Sequence, residues 1–206
     1  MTNSLQFPYI TRRQGEGAHP ALAQLERHWQ SLRDGLSIPR RAAVDPNVIH
    51  AALPWTFVMH RVAPGVARVR VAGQRLHDVL LMDPRGMPVS AFFAADDRST
   101  LAVHLEEVFS EPALVQIPLH RPASLLRPQV TGALLMLPLL DQHGEVTRAI
   151  GALVTDRPIG QRRRIRIDGR QPIRHEPIAL FQAPEPPETQ RPNVIRPALR
   201  LVVNNG

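Results

Sequence analysis

The sequence predicts an α+β fold: a five-stranded antiparallel sheet with helices on one face, preceded by an N-terminal helix. Between residues 55 and 155, segments with the apolar pattern of strands come in the order strand, strand, helical segment, strand, strand, strand. The strand-to-strand connections are short, and only the helical segment is long enough to pass over the sheet. Antiparallel pairing around one core satisfies this arrangement.

The chain begins with a polar region and a helix. Residues 1–17 lack apolar periodicity, so we expect a flexible arm there. Pro20 suits the first turn of a helix, and Gly35 is a typical stop signal. The apolar positions between them are Leu22, Leu25, Trp29 and Leu32. Two interpretations of this apolar stripe stay open, namely packing on its own domain and contact with a second copy. Asp45-Pro46 predicts a further short helix that ends near Leu53.

In the next region the spacing of apolar residues changes from that of a strand to that of a helix. Residues 55–62 read as a strand, and Ala63-Pro64-Gly65 as a tight turn into a second strand, in which Val69 and Val71 share a face. After Gly73 the apolar spacing becomes helical. A strand that leads directly into an arched run of helical pieces predicts a lid over the sheet. The space beneath such a lid is a predicted pocket.

A longer helix and three strands complete the predicted domain. The helix runs from about Asp97 to Ser110, and we interpret the Asp96-Asp97 carboxylates as helix caps rather than an acid/base pair. We interpret Glu106-Glu107 as a solvated edge of that helix. The strands are predicted over residues 113–119, 129–140 and 146–155. The second of them is apolar on both faces, which is typical of a central strand. Asp141–Gly144 has the pattern of a hairpin loop.

The positive charge is concentrated at the end of the chain. All 25 basic residues are Arg, and the net charge is +7. Residues 1–156 hold 15 Arg and 14 acidic residues, whereas residues 157–206 hold 10 Arg and 4 acidic residues. We therefore predict a domain over residues 18–156 and, outside it, a basic Pro/Arg-rich tail over residues 157–206. Residues 164–167 and 200–203 each have the pattern of a short strand within that tail.

The tail offers candidate contacts for phosphate groups of nucleic acid or of anionic lipid. The candidates are Arg162, Arg163, Arg164 and Arg166. Aromatic residues for base stacking are nearly absent there, which argues against recognition of single strands. A solvated tail, or an edge strand protected from aggregation by its charges, is the favoured interpretation. A nucleic-acid-associated regulator remains the alternative function.

Composition and motif content exclude several classes of function. The chain has no Cys, which excludes disulfides, thiolate metal sites and cysteine–flavin photochemistry. No metal-ligand spacing, Walker loop, dinucleotide fingerprint or nucleophile elbow occurs, so we predict no metal site, no catalytic residues and a non-enzymatic protein. The N-terminus lacks a signal-peptide pattern, and no apolar run approaches the ~20 residues of a membrane span. We expect a cytoplasmic protein.

Several motifs occur in an order that resembles the PAS domain, a sensor and interaction module. The motifs are Gly86-Met87-Pro88-Val89, Phe92-Phe93, Asp97-Arg98 and Leu101, then Pro138-Leu139, Asp141, Gly144, Val146, Gly151 and Asp156. The front end is similar to small stand-alone bacterial PAS proteins through Trp29, Leu32-Arg33, Gly35, Pro39-Arg40 and Asp45-Pro46. The resemblance covers residues 20–156. Pro158 departs from the family pattern because it disfavours a helix that continues from the last strand.

The resemblance implies a sensory or regulatory module with a cavity on the concave sheet face, which signals as a homodimer or through a protein partner. The small ligand or cofactor that this cavity takes is unknown. Candidate pocket residues, chosen for an inward position, are Phe57, Val71, Leu76, Val79, Phe92, Leu101, His104, Leu105, Leu135 and Leu137. Haem-binding members place an axial His on the corresponding helix, where this chain has His104. A His at the helix edge with one satisfied hydrogen bond is the competing interpretation.

Overall fold

The structure is a computed structural model, which describes residues 19–33, 37–80, 82–123, 128–157 and 164–178. The predicted N-terminal arm, Gly35, the strand candidate at residues 200–203, and two phosphate candidates, Arg162 and Arg163, lie outside these ranges. The helices are α1 (Pro20–Ser31), α2 (Gln74–Leu80) and α3 (Arg98–Ser110). The strands are β1 (Thr56–Ala63), β2 (Val66–Ala72), β3 (Ala113–Arg121), β4 (Val130–Leu139), β5 (Arg148–Thr155), β6 (Arg166–Ile167) and β7 (Arg174–Pro177).

The strands form one sheet in the order β2-β1-β5-β4-β3-β6, and β7 pairs with another part of β3. Every pairing between these strands is antiparallel. The predicted α+β antiparallel fold is confirmed, and β4 is a central strand as predicted. The sheet has two short strands beyond the five predicted for the domain: β6 lies within the strand candidate at residues 164–167, β7 was not predicted, and both run along the edge of β3.

The lid lies on one face of the sheet and encloses the larger core. It consists of α2, two short 3₁₀ helices (Val89–Phe92 and Ala95–Asp97) and α3. Apolar side chains of the lid meet those of all five long strands, and the cluster includes Leu76, Phe92, Leu101 and Leu105 from the lid and Phe57, Met59, Val69, Ile117, Leu134, Met136 and Leu153 from the sheet. The predicted arrangement of sheet and lid is thus confirmed.

Helix α1 covers the opposite, outer face of the sheet. Its apolar stripe packs on a second core that contains Val58, Leu135, Leu137, Ile150 and Val154. Trp29 is 1% exposed, and its Nε1 donates a buried hydrogen bond to the Pro138 carbonyl at 2.9 Å. Of the two interpretations of this helix, packing on its own domain is the one that the structure confirms.

A β-bulge reverses the predicted facing of one residue. Val58 pairs with Val71, but the next residue, Met59, pairs with Val69, so Arg70 is an extra residue on β2. The extra residue turns Val71 to the outer face, where it is 54% exposed. The prediction that Val69 and Val71 share a face is therefore wrong, because strict alternation holds only in a strand without a bulge.

The short helix predicted after Asp45-Pro46 is wrong as well. Residues 46–52 form turns, and a 3₁₀ helix follows only at Leu53–Trp55. The Asp45 carboxylate accepts a hydrogen bond from the Asn47 backbone N–H at 2.8 Å, two residues on. This is the Asx-turn geometry, in which the side chain competes with the helical hydrogen-bond pattern.

Gly151 lies where β5 passes close to the Phe57 ring and to the backbone of β4, so a side chain has no room there. A Cβ at this position would lie 2.6 Å from Cζ of Phe57 and 2.7 Å from the carbonyl oxygen of Leu135. We expect Gly151→Ala to lower the unfolding free energy by about 1–3 kcal/mol, since a packed ring and a backbone atom would both have to move. Urea denaturation checks this, and Gly169→Ala is the control because no atom lies within 4 Å of its Cβ position. Equal stability of the two variants would contradict the packing described.

Candidate functional site

Half of the predicted pocket residues come together beneath the lid, within one buried cluster. Phe57, Leu76, Phe92, Leu101 and Leu105 all belong to one core and are at most 1% exposed. The rings of Phe57 and Phe92 meet edge to face, with centroids 6.2 Å apart. In the part of the chain that the structure describes, these residues therefore belong to the close-packed core of the domain.

The other apolar candidates lie elsewhere. Leu135 and Leu137 belong to the core under α1, on the opposite face, whereas Leu134 and Met136 face the lid. The apolar pattern of β4 does not reveal this, since it is the same on both faces. Val71 lies on the outer face because of the bulge. The side chain of Val79 lies outside the described part of the structure.

His104 lies at the edge of α3 and makes a local contact. Its Nδ1 lies 2.7 Å from Oε2 of Glu107, one turn on, and Nε2 of His175 on β7 lies 3.7 Å from the same oxygen. The helix-edge interpretation is therefore confirmed. As far as the described residues are concerned, haem does not fit beside His104, because Leu101, Leu105 and Val108 of α3 pack into the core. Glu107 makes these contacts and is partly exposed, so the predicted solvated edge of the helix is only partly solvated here.

Glu106 joins α3 to the turn between β1 and β2. Its carboxylate accepts a hydrogen bond from the Gly65 backbone N–H at 2.7 Å and pairs with Arg61 on β1. Hydrogen bonds from Ser110 and Gly65, together with the Arg61 charge, lower the pKa of Glu106. The carboxylate is thus a structural anchor, and the prediction of a solvated helix edge is wrong for it. A contact between residues 41 positions apart carries no signal in the sequence.

The Asp96-Asp97 pair does not cap α3 as predicted. The Asp97 side chain makes no capping hydrogen bond. It accepts hydrogen bonds from the Ile167 backbone N–H at 3.1 Å and from Arg166 Nε at 3.3 Å, and Asp96 pairs with the same guanidinium at 3.0 Å. These carboxylates therefore fasten residues 164–178 to the start of α3.

Four of the five described arginines of the predicted tail make ion pairs, and the fifth is Arg164. Arg166 binds the aspartates before α3, and Arg174 binds both oxygens of Glu26 on α1 at 2.7 and 2.9 Å. Arg170 donates to Asp168; burial favours the neutral acid, but hydrogen bonds from Arg170 and Gln171 outweigh it and lower the pKa of Asp168 to about 2. Of the phosphate candidates that the structure describes, Arg164 is exposed and Arg166 is paired.

An open cavity of about 300 Å³ lies on the outer face of the sheet, at the start of α1. It is formed where the first residues of the helix pass over the ends of β4 and β5 and the middle of β3. Its lining is mainly apolar, and it consists of His19, Pro20, Leu22, Gln116, Thr131, Gly132, Ala133, Val154, Thr155 and Asp156. We call it the α1 cavity. Its size lies at the lower end of the range typical of small-molecule sites.

The polar groups of the α1 cavity are few and fixed. Asp156 Oδ1 accepts a hydrogen bond from the Thr131 N–H at 3.0 Å, and the Asp156 N–H donates to the Thr131 carbonyl at 2.9 Å. The His19 Nδ1 accepts a hydrogen bond from the Ala21 N–H at 3.2 Å, and burial lowers the pKa of His19. The cavity thus combines a neutral imidazole, an amide and a carboxylate with an apolar wall. A small apolar molecule with one polar end fits this arrangement. No local sequence pattern indicates the α1 cavity, because its lining joins residues from both ends of the domain.

Two further properties of the described residues bear on function. Within the ranges given above, no group of three His, Asp or Glu side chains is arranged to hold a metal ion. Among the helices α1 to α3, none has the length and hydropathy that crossing a membrane requires.

Known proteins are similar to this domain in sequence profile and in structure. The sequence profile of a family described as "PAS domain" matches residues 17–154, about two thirds of the chain. Among solved structures the chain is similar to one described as "Structure of an RNA-binding Light-Oxygen-Voltage Receptor", at 15% identity and a TM-score of 0.37. That match covers 59% of this chain and only 35% of the other, and no functional argument rests on it. No functionally curated protein matches the chain.

Proposed function

Because this chain belongs to the PAS domain family, we propose that it is a non-enzymatic sensory module that binds a small molecule in the α1 cavity and reports its presence to a protein partner. PAS domains are sensory and regulatory modules. The role is that of the family, whereas the place of the ligand departs from the expectation of a cavity on the concave face. A homodimer remains part of the proposal.

The observation that carries the proposal is the distribution of filled and open space. Among the described residues, aromatic and aliphatic side chains of one core lie beneath the lid, and an open volume of about 300 Å³ lies under the start of α1. A preformed, mainly apolar cavity with a few polar groups is the usual form of a small-molecule site.

The contacts around the cavity provide a route from ligand to surface. An occupant of the cavity touches His19, Pro20 and Leu22 at the start of α1. Further along the helix, Glu26 holds Arg174 of β7, which pairs with β3. If a ligand binds more tightly when α1 sits in one position on the sheet than in another, it shifts α1 toward that position. The shift moves Glu26 and so changes the Arg174 contact that fastens residues 164–178.

Native mass spectrometry of the purified full chain tests the proposal. Gln116 is half-buried in the cavity wall, so Gln116→Trp fills the cavity, whereas Gln116→Leu keeps its volume. We expect a retained small-molecule mass in the natural sequence and in Gln116→Leu, and its loss in Gln116→Trp. A mass that persists in Gln116→Trp, or no retained mass in any of the three proteins, contradicts ligand binding in this cavity.

A further inference from the structure

A row of basic side chains crosses three strands on the outer face of the sheet. His60 on β1 pairs with Arg68 on β2 and with Arg148 on β5, so these three side chains point to the same face. Arg70, the extra residue of the β-bulge, places Nη2 3.2 Å from Nδ1 of His60. Strands lie about 4.8 Å apart, so the row extends over roughly 10 Å. We call these four residues the arginine row.

Within the part of the chain that the structure describes, the charges of the arginine row are not balanced by salt bridges. Among the described residues, no carboxylate lies within salt-bridge distance of Arg68, Arg70 or Arg148, and Arg68 donates to the Gly86 carbonyl at 2.7 Å. The nearby acid is Asp141, whose oxygens accept hydrogen bonds from the His143 and Glu145 backbone N–H groups and from the Thr147 hydroxyl. Its carboxylate is thus occupied within its own loop.

The surface beside the row is apolar. Val71, which the bulge turns outward, is 54% exposed, and Val62, which follows His60 by two residues on β1 at a second register shift, is 45% exposed. The edge of β2 is already engaged where the row meets it, because the Val69 N–H donates to the Met87 carbonyl and the Val69 carbonyl accepts from the Gly86 N–H. A partner therefore meets the face of the sheet rather than extending it by another strand.

We propose that the arginine row and its two flanking valines dock an acidic segment of a partner protein, in which carboxylates alternate with apolar side chains. Guanidinium groups bind carboxylates with two parallel hydrogen bonds, and an apolar residue in the segment meets the valines. Nucleic acid fits less well, since the row holds no Phe, Tyr or Trp side chain for base stacking and phosphates gain nothing from exposed valines. The inference rests on the proposed regulatory role but on other residues than the α1 cavity.

His60 provides a direct reporter of docking. Burial and the charges of Arg148 and Arg70 lower the pKa of His60, although the charge of Asp141 acts to raise it. A carboxylate docked on the row offsets the two arginine charges. We therefore expect the titration of the His60 ring, followed by NMR, to move to higher pH when the segment is bound.

Fluorescence anisotropy with the full chain tests the docking. The probe is a labelled 12-residue peptide that alternates Glu or Asp with Leu, compared with its Gln/Asn counterpart and with a DNA duplex of similar length. We expect the acidic peptide to bind and the double variant Arg70→Gln/Arg148→Gln to weaken binding at least tenfold. Arg85→Gln is the matched control, because Arg85 is exposed and pairs with Asp83 outside the row; it should stay within twofold.

Three outcomes overturn the inference: no binding of the acidic peptide, equal binding of its Gln/Asn counterpart, and unchanged affinity of the double variant. Tighter binding of the DNA duplex that the double variant abolishes also overturns it and assigns the row to nucleic acid. Gln116→Trp should bind the peptide as the natural sequence does. A failure of the cavity proposal and a failure of the docking proposal are thus distinguishable.

Discussion

Replacing Phe57 by Ala should lower the unfolding free energy by about 3–5 kcal/mol, as is typical when a fully buried aromatic ring is removed. The ring lies between β5, at Gly151, and the edge of Phe92 on the lid. Its removal opens a void that joins the sheet to the lid. Urea denaturation followed by circular dichroism measures the change. We expect the unfolding free energy of Phe57→Leu to lie between those of Phe57→Ala and the natural sequence, so this milder variant serves if Phe57→Ala does not fold.

The matched control is Val71→Ala, which we expect to change stability by less than about 0.5 kcal/mol because the side chain is 54% exposed. The two residues were equal candidates for the predicted pocket. A small effect of Phe57→Ala, comparable with that of Val71→Ala, would mean that the space beneath the lid is open, and would contradict the packing described here.

Replacing Trp29 by Ala should cost a similar amount, about 3–5 kcal/mol, because α1 is part of the domain core. The indole is buried against the outer face of the sheet, and its N–H donates to the Pro138 carbonyl at 2.9 Å. Trp29→Phe keeps most of the apolar contact and removes the donor. We expect it to cost about 1–3 kcal/mol, since a buried carbonyl loses its side-chain partner.

Sedimentation equilibrium alongside denaturation separates two roles of α1. The described packing predicts that Trp29→Ala unfolds at lower urea at every protein concentration. Unchanged stability of a protein that merely changes its oligomeric state would show instead that the stripe of α1 serves a contact between copies.

The regular elements could be predicted because their signals are local. The spacing of Leu22, Leu25 and Trp29 predicts α1, and the predicted start at Pro20 is the first residue of the helix. Gly65 and Gly144 adopt the positive φ that the two hairpin turns require. The order of strands and helical pieces then leaves few antiparallel arrangements, which is why the fold class followed from the pattern alone.

The site could not be predicted in the same way, because facing and long-range contacts are not local. The bulge at Arg70 reverses Val71, and β4 is equally apolar on both faces, so its inward residues were assigned to the wrong side. The carboxylates of Asp97 and Glu106 bind partners 70 and 41 positions away rather than the neighbours that their spacing favours. Arg166 and Arg174 of the predicted tail have partners that only the folded chain brings near them.

We propose that open space lies at the start of α1 and that the described side chains fill the region beneath the lid. Crystals of the natural sequence under xenon pressure test it most directly, since xenon enters apolar cavities without changing their shape. The account predicts xenon density against Leu22 and Ala133, in the α1 cavity. Density among Phe57, Phe92 and Leu105 would contradict it, because that result would place an open cavity on the concave face of the sheet.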